Sequence, residues 1–372
     1  MNAPDFFFRT KQLWIMLSFV SISVFLFGQQ DVEPTKVLFI GNSYTHYNDM
    51  PGLFQNIAES KGENVLTEMD AKSNHTFKMH TKRPELFEHI KKRQWDFVVL
   101  QGFSRELSFS HEYMDTATVP YFKQILDSVY ANNPCTKVLL YMTWGYRTGF
   151  PDQEEIDTYE KMAEAVKNGY KYLASKYSLA IVPVGDVYEQ IHKTGDGSLF
   201  HCLYQKDEQH PSVTGSYAIA NTFYSAIFRN SPINAYHRGL SREDAQVIQT
   251  VAYEYINTHQ ADYNLNEDYF EIKYDWSSNG DLIIDAKANY GMAVITWDFG
   301  DGTVAQNPVA HHEYNRLGDY PISLAVQARC GNYRIIERID LDNLPVPSDN
   351  HPSVGLIEKN IRRAKKQLRK DG

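Results

Sequence analysis

The sequence is short of three things: cysteine, net positive charge and long apolar runs. Only 3 cysteines stand among 372 residues, Cys135, Cys202 and Cys330. Their spacing fits no metal site, and a chain of this length needs no disulfide framework to hold a core. An odd count leaves at least one thiol free or paired between molecules. Lys and Arg number 37 against 46 Asp and Glu, a formal net charge of -9. That balance argues against a general nucleic-acid binder, whose phosphate contacts need a basic face. Beyond the first thirty residues no stretch is apolar for long enough to suggest a membrane span.

The first residues form the exception. Arg9 and Lys11 precede an almost uninterrupted apolar run from Leu13 to Phe27, and Gly28 comes just before Gln29 and Gln30. This predicts a secretory signal peptide over residues 1–28, cleaved near Gly28. An uncleaved anchor helix is the alternative, although the run is short for a full span. No Cys follows it, so lipid attachment there is not expected. The chain is thus expected to be exported, to the periplasm, the cell surface or the medium, with no stable membrane span after cleavage.

What remains is ordinary globular composition, 42% hydrophobic and 22% charged, rich in aromatics with 25 Tyr, 20 Phe and 5 Trp. Exposed aromatics can face sugars, and buried ones build core. From Lys36 short apolar runs alternate with longer amphipathic segments. Strands are expected at Val37–Ile40, Val65–Met69, Phe97–Leu100, Val138–Tyr141 and Ile181–Val184. Helices are expected at Met50–Lys61, Pro84–Lys92, about Asp152–Tyr177 and Thr214–Phe228. Such alternation implies a parallel sheet covered on both faces, with chemistry at the carboxyl ends of its strands.

Two segments carry that chemistry. The first strand runs into Gly41-Asn42-Ser43, where Gly permits a tight turn and a Ser is presented at the strand end. Downstream, Asp207-Glu208-Gln209-His210 comes just before the last of these helices. A carboxylate three residues ahead of a histidine can accept its Nδ1 proton and leave Nε2 free to deprotonate a serine hydroxyl. Taken singly, Ser43 can be a cap, Asp207 a turn residue, and His210 a packing partner of Pro211.

Taken together, a Ser after strand one and Asp-x-x-His before the final helix resemble the SGNH-hydrolase (GDSL-like) superfamily, from about Lys36 to Phe228. The run VLFIGNSYTHYNDMP over residues 37–51 looks like an uncharacterised bacterial branch with GNS in place of GDS. The resemblance implies a three-layer α/β/α fold of flavodoxin-like type and a serine esterase or acetylhydrolase without metal or cofactor. Carried over, Ser43 matches the nucleophile, His210 the general base and Asp207 its orienting acid, with the Ser43 N–H in the oxyanion hole. In the second block Ser73 is the positional match for a glycine whose N–H points at the oxyanion. The third block lacks its usual Asn and reads Gln101-Gly102-Phe103-Ser104-Arg105, so Gln101 or Ser104 is expected to donate instead. The Gln-Gly-x-Ser run resembles sugar-acetylesterase members.

His75, His80, Arg105, Trp144 and Tyr146 fall near strand ends, where each can contact substrate or simply pack. No acidic residue stands at ligand spacing from His75 and His80, so no metal is expected. Farther on, Thr296-Trp297-Asp298-Phe299-Gly300-Asp301-Gly302-Thr303, His312-Glu313-Tyr314 and Gly318-Asp319-Tyr320-Pro321 resemble the PKD module, an immunoglobulin-like β-sandwich over 271–342. Asp301-Gly302 is a hairpin signal, and turn chemistry explains Asp298 and Asp301 without calcium.

The expected organisation is therefore a catalytic domain over 36–230, a helical connector over 231–268, the sandwich over 271–342 and a basic tail over 343–372. That tail, rich in Lys and Arg, reads as a solvated helix or as a contact for an acidic surface. The expected activity is removal of acetyl or other small acyl groups from a carbohydrate, with the sandwich as spacer or as polysaccharide or cell-surface contact. A non-catalytic glycan-binding protein on the same scaffold is the alternative.

Overall fold

The computed structural model describes residues 33–360 except 195–196, 267–268, 277–281, 290–293, 308, 315–318, 329–330 and 341–354. The expected signal peptide, and the tail beyond 360, lie outside the described residues.

Five strands form the first sheet: β1 (Thr35–Gly41), β2 (Val65–Ala71), β3 (Phe97–Leu100), β4 (Lys137–Met142) and β5 (Ala180–Pro183). All are parallel, in the order β2-β1-β3-β4-β5. Chain order therefore reverses beside β1, and the carboxyl ends of β1 and β3 flank a topological switch point, where open α/β sheets bind ligands. Strands β1, β3, β4 and β5 are short and mostly apolar because both faces are covered, whereas the edge strand β2 carries Thr67, Glu68 and Asp70. Phe39, Val99 and Leu140 sit in one continuous hydrophobic cluster with the helices.

Eleven α-helices are described. The first four are α1 (Ser43–His46), α2 (Met50–Ser60), α3 (Phe77–His80) and α4 (Pro84–Lys91). Then come α5 (His111–Ala117), α6 (Val119–Asn132), α7 (Tyr159–Tyr177) and α8 (Val184–His192). The last three are α9 (Ser198–Cys202), α10 (Val213–Phe228) and α11 (Arg242–Thr258). In α10 every residue from Gly215 to Ile227 is buried, as its all-round apolar and small-residue sequence requires. Each large side chain fully buried there stabilises by roughly 1.5–3 kcal/mol.

Three boundaries differ from expectation. The helix expected from about Asp152 begins at Tyr159, because the Thr158 side chain accepts from Lys161 N–H and caps it. The stretch 231–268 is more than a connector: Ile248, Ala252, Ile256, Tyr263 and Leu265 join the hydrophobic cluster that contains Val37. Residues Gly355–Asn360, expected within the basic tail, form a strand paired with Tyr269–Trp276. Cys202 is free and exposed. Cys135 is disulfide-bonded.

The C-terminal strands are β6 (Tyr269–Trp276), β7 (Leu282–Asn289), β8 (Val294–Asp298) and β9 (Val304–Ala305), then β10 (Val309–Tyr314), β11 (Asp319–Ala328), β12 (Gly331–Asp340) and β13 (Gly355–Asn360). They make two antiparallel sheets, β10-β7-β6-β13 and β12-β11-β8-β9. Between β8 and β9, Asp298 accepts from Gly300 N–H and Asp301 from Thr303 N–H. Gly300 and Gly302 take φ of 81° and 94°, the left-handed region that this turn demands.

Candidate active site

The Ser43 segment is set by local chemistry. β1 ends at Gly41, where a Cβ would collide with Thr45 Oγ1 and Gln101 Oε1. Asn42 caps α1, its side-chain oxygen accepting from Tyr44 N–H at 3.0 Å. Ser43 is the first helical residue, so its N–H has no intrahelical acceptor, and none is paired with it among the described residues. Asn48 and Asp49 follow with φ of 57° and 52°. That conformation is tolerable for Asn and Asp, and it turns Asn48 Nδ2 toward the second segment. There it donates to Pro211 O, Ser212 O and Ser216 Oγ at 3.0, 2.9 and 2.8 Å.

The histidine segment is a turn braced on several sides. Tyr204 and Pro211 form a β-bridge, and Gln205 N–H donates to His210 O at 2.8 Å. Glu208 takes φ of 63° at the apex. Arg147 holds it twice, donating its own N–H to Glu208 O at 2.9 Å and pairing guanidinium with carboxylate. Beneath the turn the Trp144 indole donates to Gln209 O at 3.1 Å and stacks between Tyr44 and Tyr188. Asp207 Oδ1 accepts from Gln209 and His210 N–H, both at 3.0 Å, and Oδ2 meets His210 Nδ1 at 2.6 Å. The other ring nitrogen, Nε2, lies 3.0 Å from Ser43 Oγ. Tyr47 stacks on the ring at 4.6 Å, and Tyr44 meets it edge-on at 5.4 Å.

Ser43, His210 and Asp207 thus form one hydrogen-bonded chain. Partial burial pushes the Asp207 carboxyl up. The two backbone N–H groups and the His210 ring outweigh this and hold it below the usual carboxylate range. An ionised Asp207 fixes the proton on Nδ1 and leaves Nε2 to accept from Ser43.

The remaining expected residues fall elsewhere. Gln101 Oε1 accepts from Asn42 N–H at 2.8 Å and from Thr45 Oγ1 at 2.9 Å, while its Nε2 donates to Gly102 O. Its Oε1 holds the turn around Ser43, and its Nε2 is taken by the carbonyl of the next residue. Ser73 Oγ bonds His46 Nε2 at 2.9 Å. Ser104 does reach the site, its hydroxyl 2.6 Å from Tyr146 Oη. A cavity of about 50 Å³ opens beside Ser43 and His210, walled by Asn74, Phe103, Ser104 and Tyr146.

Asn74 is the residue that sequence reasoning passed over. It takes φ of 60° and lines the cavity, and no hydrogen bond engages its amide among the described residues. Its signal was present: an Asn after a Ser in the turn following β2, a type that enters the left-handed region readily.

Two buried groups support the loops around this site. The Glu106 carboxylate accepts from Phe77 N–H at 3.1 Å and Phe103 N–H at 3.1 Å, tying the segments after β2 and β3 together. Burial pushes its carboxyl up to about 7, against the pull of those two N–H groups. His80 donates from Nε2 to Gly41 O at 2.9 Å and accepts from Arg83 at Nδ1. Burial, with the neighbouring His75, pushes its ring down to about 4. Among the described residues no group of three or more His, Cys, Asp or Glu is placed to hold a metal ion, and no helix is long and apolar enough to cross a membrane.

Comparisons with known proteins bear on both parts. Residues 281–338 match the PKD domain family. No curated protein matches the sequence. Among solved structures, a DUF4886 family protein from Bacteroides uniformis is similar at 17% identity and a TM-score of 0.51, over 60% of this chain and 95% of that one. A protein from Slackia heliotrinireducens described as an SGNH hydrolase matches at 22% identity and a TM-score of 0.41, over 50% and 96%. A GDSL-like lipase from Bacteroides thetaiotaomicron matches at 19% identity and 0.36, over 52% and 88%. The chain therefore carries an α/β part with the fold of the DUF4886 family structure, followed by a PKD domain at residues 281–338.

Proposed function

We propose that this protein is an exported serine ester hydrolase that removes acetyl or other small acyl groups from a carbohydrate. The observation that carries this reading is the hydrogen-bonded chain from Ser43 through His210 to Asp207 at the switch point of the sheet. In the reaction Ser43 Oγ attacks the ester carbonyl carbon as His210 Nε2 takes its proton, and Asp207 stabilises the imidazolium that results. The carbonyl oxygen becomes an oxyanion facing the Ser43 N–H and Asn74, two donors at the cavity that no hydrogen bond engages among the described residues. Collapse breaks the bond to the sugar oxygen, which leaves with the proton from His210. A water then attacks the acyl-serine, gives its proton to His210, and the acid departs as Ser43 recovers its own.

Cavity size favours a small acyl group. About 50 Å³ holds roughly three or four waters at about one probe sphere each, enough for an acetyl group and too little for a fatty chain. The carbohydrate alcohol is supported by the PKD domain, which in this reading contacts a polysaccharide or the cell surface. The test is acetate release from acetylated oligosaccharides and from an aryl acetate. Wild type is expected to turn over both, and Ser43→Ala to fall by several orders of magnitude while staying folded. Equal rates in the two proteins would exclude this nucleophile.

A further inference from the structure

Arg105 follows Ser104 of the cavity wall, and the reaction has no use for it. Its guanidinium carbon lies 3.9 Å from the centre of the Phe150 ring. Phe150 packs edge-on against Tyr146 at 6.3 Å, and Tyr146 is bonded to Ser104 in the cavity wall. Two rings, Phe150 and Tyr146, therefore link the guanidinium to the cavity that opens onto Ser43. Its Nε is buried without a hydrogen-bond partner, and no carboxylate pairs with it among the described residues. Arg147 differs in being paired with Glu208. The nearest acid in sequence, Glu106, is spent on the N–H groups of Phe77 and Phe103.

An arginine stacked by its face on an aromatic ring keeps its edge nitrogens free, in the fork that matches a carboxylate bidentately. We infer that Arg105 binds an anionic group of the substrate, so that the preferred ester is carried on an acidic glycan, a sugar chain bearing carboxylates close to the acyl group. This rests on the esterase reading for its chemistry, whereas the binding it asserts is measurable without turnover. A sulfate ester on the sugar would offer similar charge. The planar fork favours the carboxylate.

The experiment compares wild type with Arg105→Gln on three acetylated oligosaccharides, one neutral, one uronate-bearing and one sulfated, beside an aryl acetate. The ratio of kcat/KM on the uronate ester to that on the neutral ester is expected to fall about 10- to 100-fold in Arg105→Gln, chiefly through KM. Arg105→Lys, which keeps the charge and loses the fork, should fall between. Exchanging a distant surface charge, Lys123→Gln, should leave the ratio alone. An unchanged ratio in Arg105→Gln overturns the inference, and a fall confined to the sulfated ester overturns the carboxylate assignment. If wild type hydrolyses none of the esters, calorimetry with an unacetylated oligouronide separates the two ideas. Binding weakened about 10- to 100-fold in Arg105→Gln upholds the anion site, and equal or absent binding removes it. Should Arg105→Gln not fold, Arg105→Lys decides by the same ratio and the same titration.

Discussion

The two parts of this molecule each hold a histidine against an aspartate, and the two pairs differ in what surrounds them. In the α/β part His210 gives Nδ1 to Asp207 at 2.6 Å and turns Nε2 to a serine hydroxyl. In the PKD domain His312 gives Nε2 to Asp301 at 2.8 Å and stacks on Phe299. Both aspartates are held below the usual range. Exposure separates them: the His210 and Asp207 side chains are 23% and 45% accessible, those of His312 and Asp301 10% and 24%. A close His–Asp pair is therefore no sign of catalysis by itself. The second ring nitrogen must face a nucleophile, and solvent or substrate must reach it. In the PKD pair no nucleophile is bonded to the second ring nitrogen among the described residues, and the pair serves the hairpin that also holds Thr303 N–H.

The largest effect should come from breaking one pair and then the other. His210→Ala is expected to lower kcat for an aryl acetate by about 10⁴-fold or more, since triad members act as a unit. His312→Ala should leave kcat unchanged and lower only thermal stability. A kinetic loss in His312→Ala would erase the distinction drawn between the two regions.

The next effect concerns the donors proposed beside the first pair for a developing oxyanion. Asn74→Ala is expected to lower kcat by roughly 10²–10³-fold with a smaller change in KM. Gln101→Ala should behave differently, weakening the fold and the placement of Ser43 together, because its amide holds Asn42 and Thr45. If Gln101→Ala lost kcat alone while Asn74→Ala kept it, the donor assignment would revert to Gln101.

A smaller effect, on stability, tests the buried groups under the first pair. The Glu106 carboxyl keeps its proton to about pH 7 when folded and to about 4.3 when unfolded. Between those values the folded state binds more protons, so this group's contribution declines as pH rises, by about 3 kcal/mol in all. His80 works in the opposite sense. Its folded ring protonates only below about 4 against about 6.5 unfolded, so its contribution grows as pH rises through that window. In wild type the two slopes oppose each other. Glu106→Gln removes one, and its stability relative to wild type should therefore climb between pH 4.5 and 7 and level off above. Urea unfolding at pH 4.5, 6 and 8 measures this, and a difference constant with pH would contradict it.

Much of the fold was legible in the sequence because its signals are local. Short β-branched and apolar runs separated by capped helices gave the five strands and the parallel sheet. Gly41-x-Ser43 and Asp207-x-x-His210 were readable because a strand-end turn and a one-turn spacing fix those side chains within a few residues. The proposed oxyanion donors were not legible in the same way. Gln101 has the right chemistry, but its amide is claimed by the backbone of Asn42 and Gly102, a tertiary fact that its neighbours in sequence do not announce. Asn74 enters the cavity through a left-handed backbone angle, which a turn composition permits without specifying. The bracing of the histidine turn by Asn48 and Arg147 spans more than 60 residues in each case. The stretch 231–268 read as a connector because its amphipathic helix shows one apolar face and not the core that receives it.

The most direct test of the central claim is covalent. A fluorophosphonate that reacts with activated serines should modify wild type at one equivalent, and peptide mapping should find the adduct on Ser43. Labelling should vanish in Ser43→Ala and slow severely in His210→Ala, while His312→Ala labels at the wild-type rate. Modification of another residue, or hydrolysis that persists in the fully labelled protein, would contradict the assignment of Ser43 and with it the mechanism.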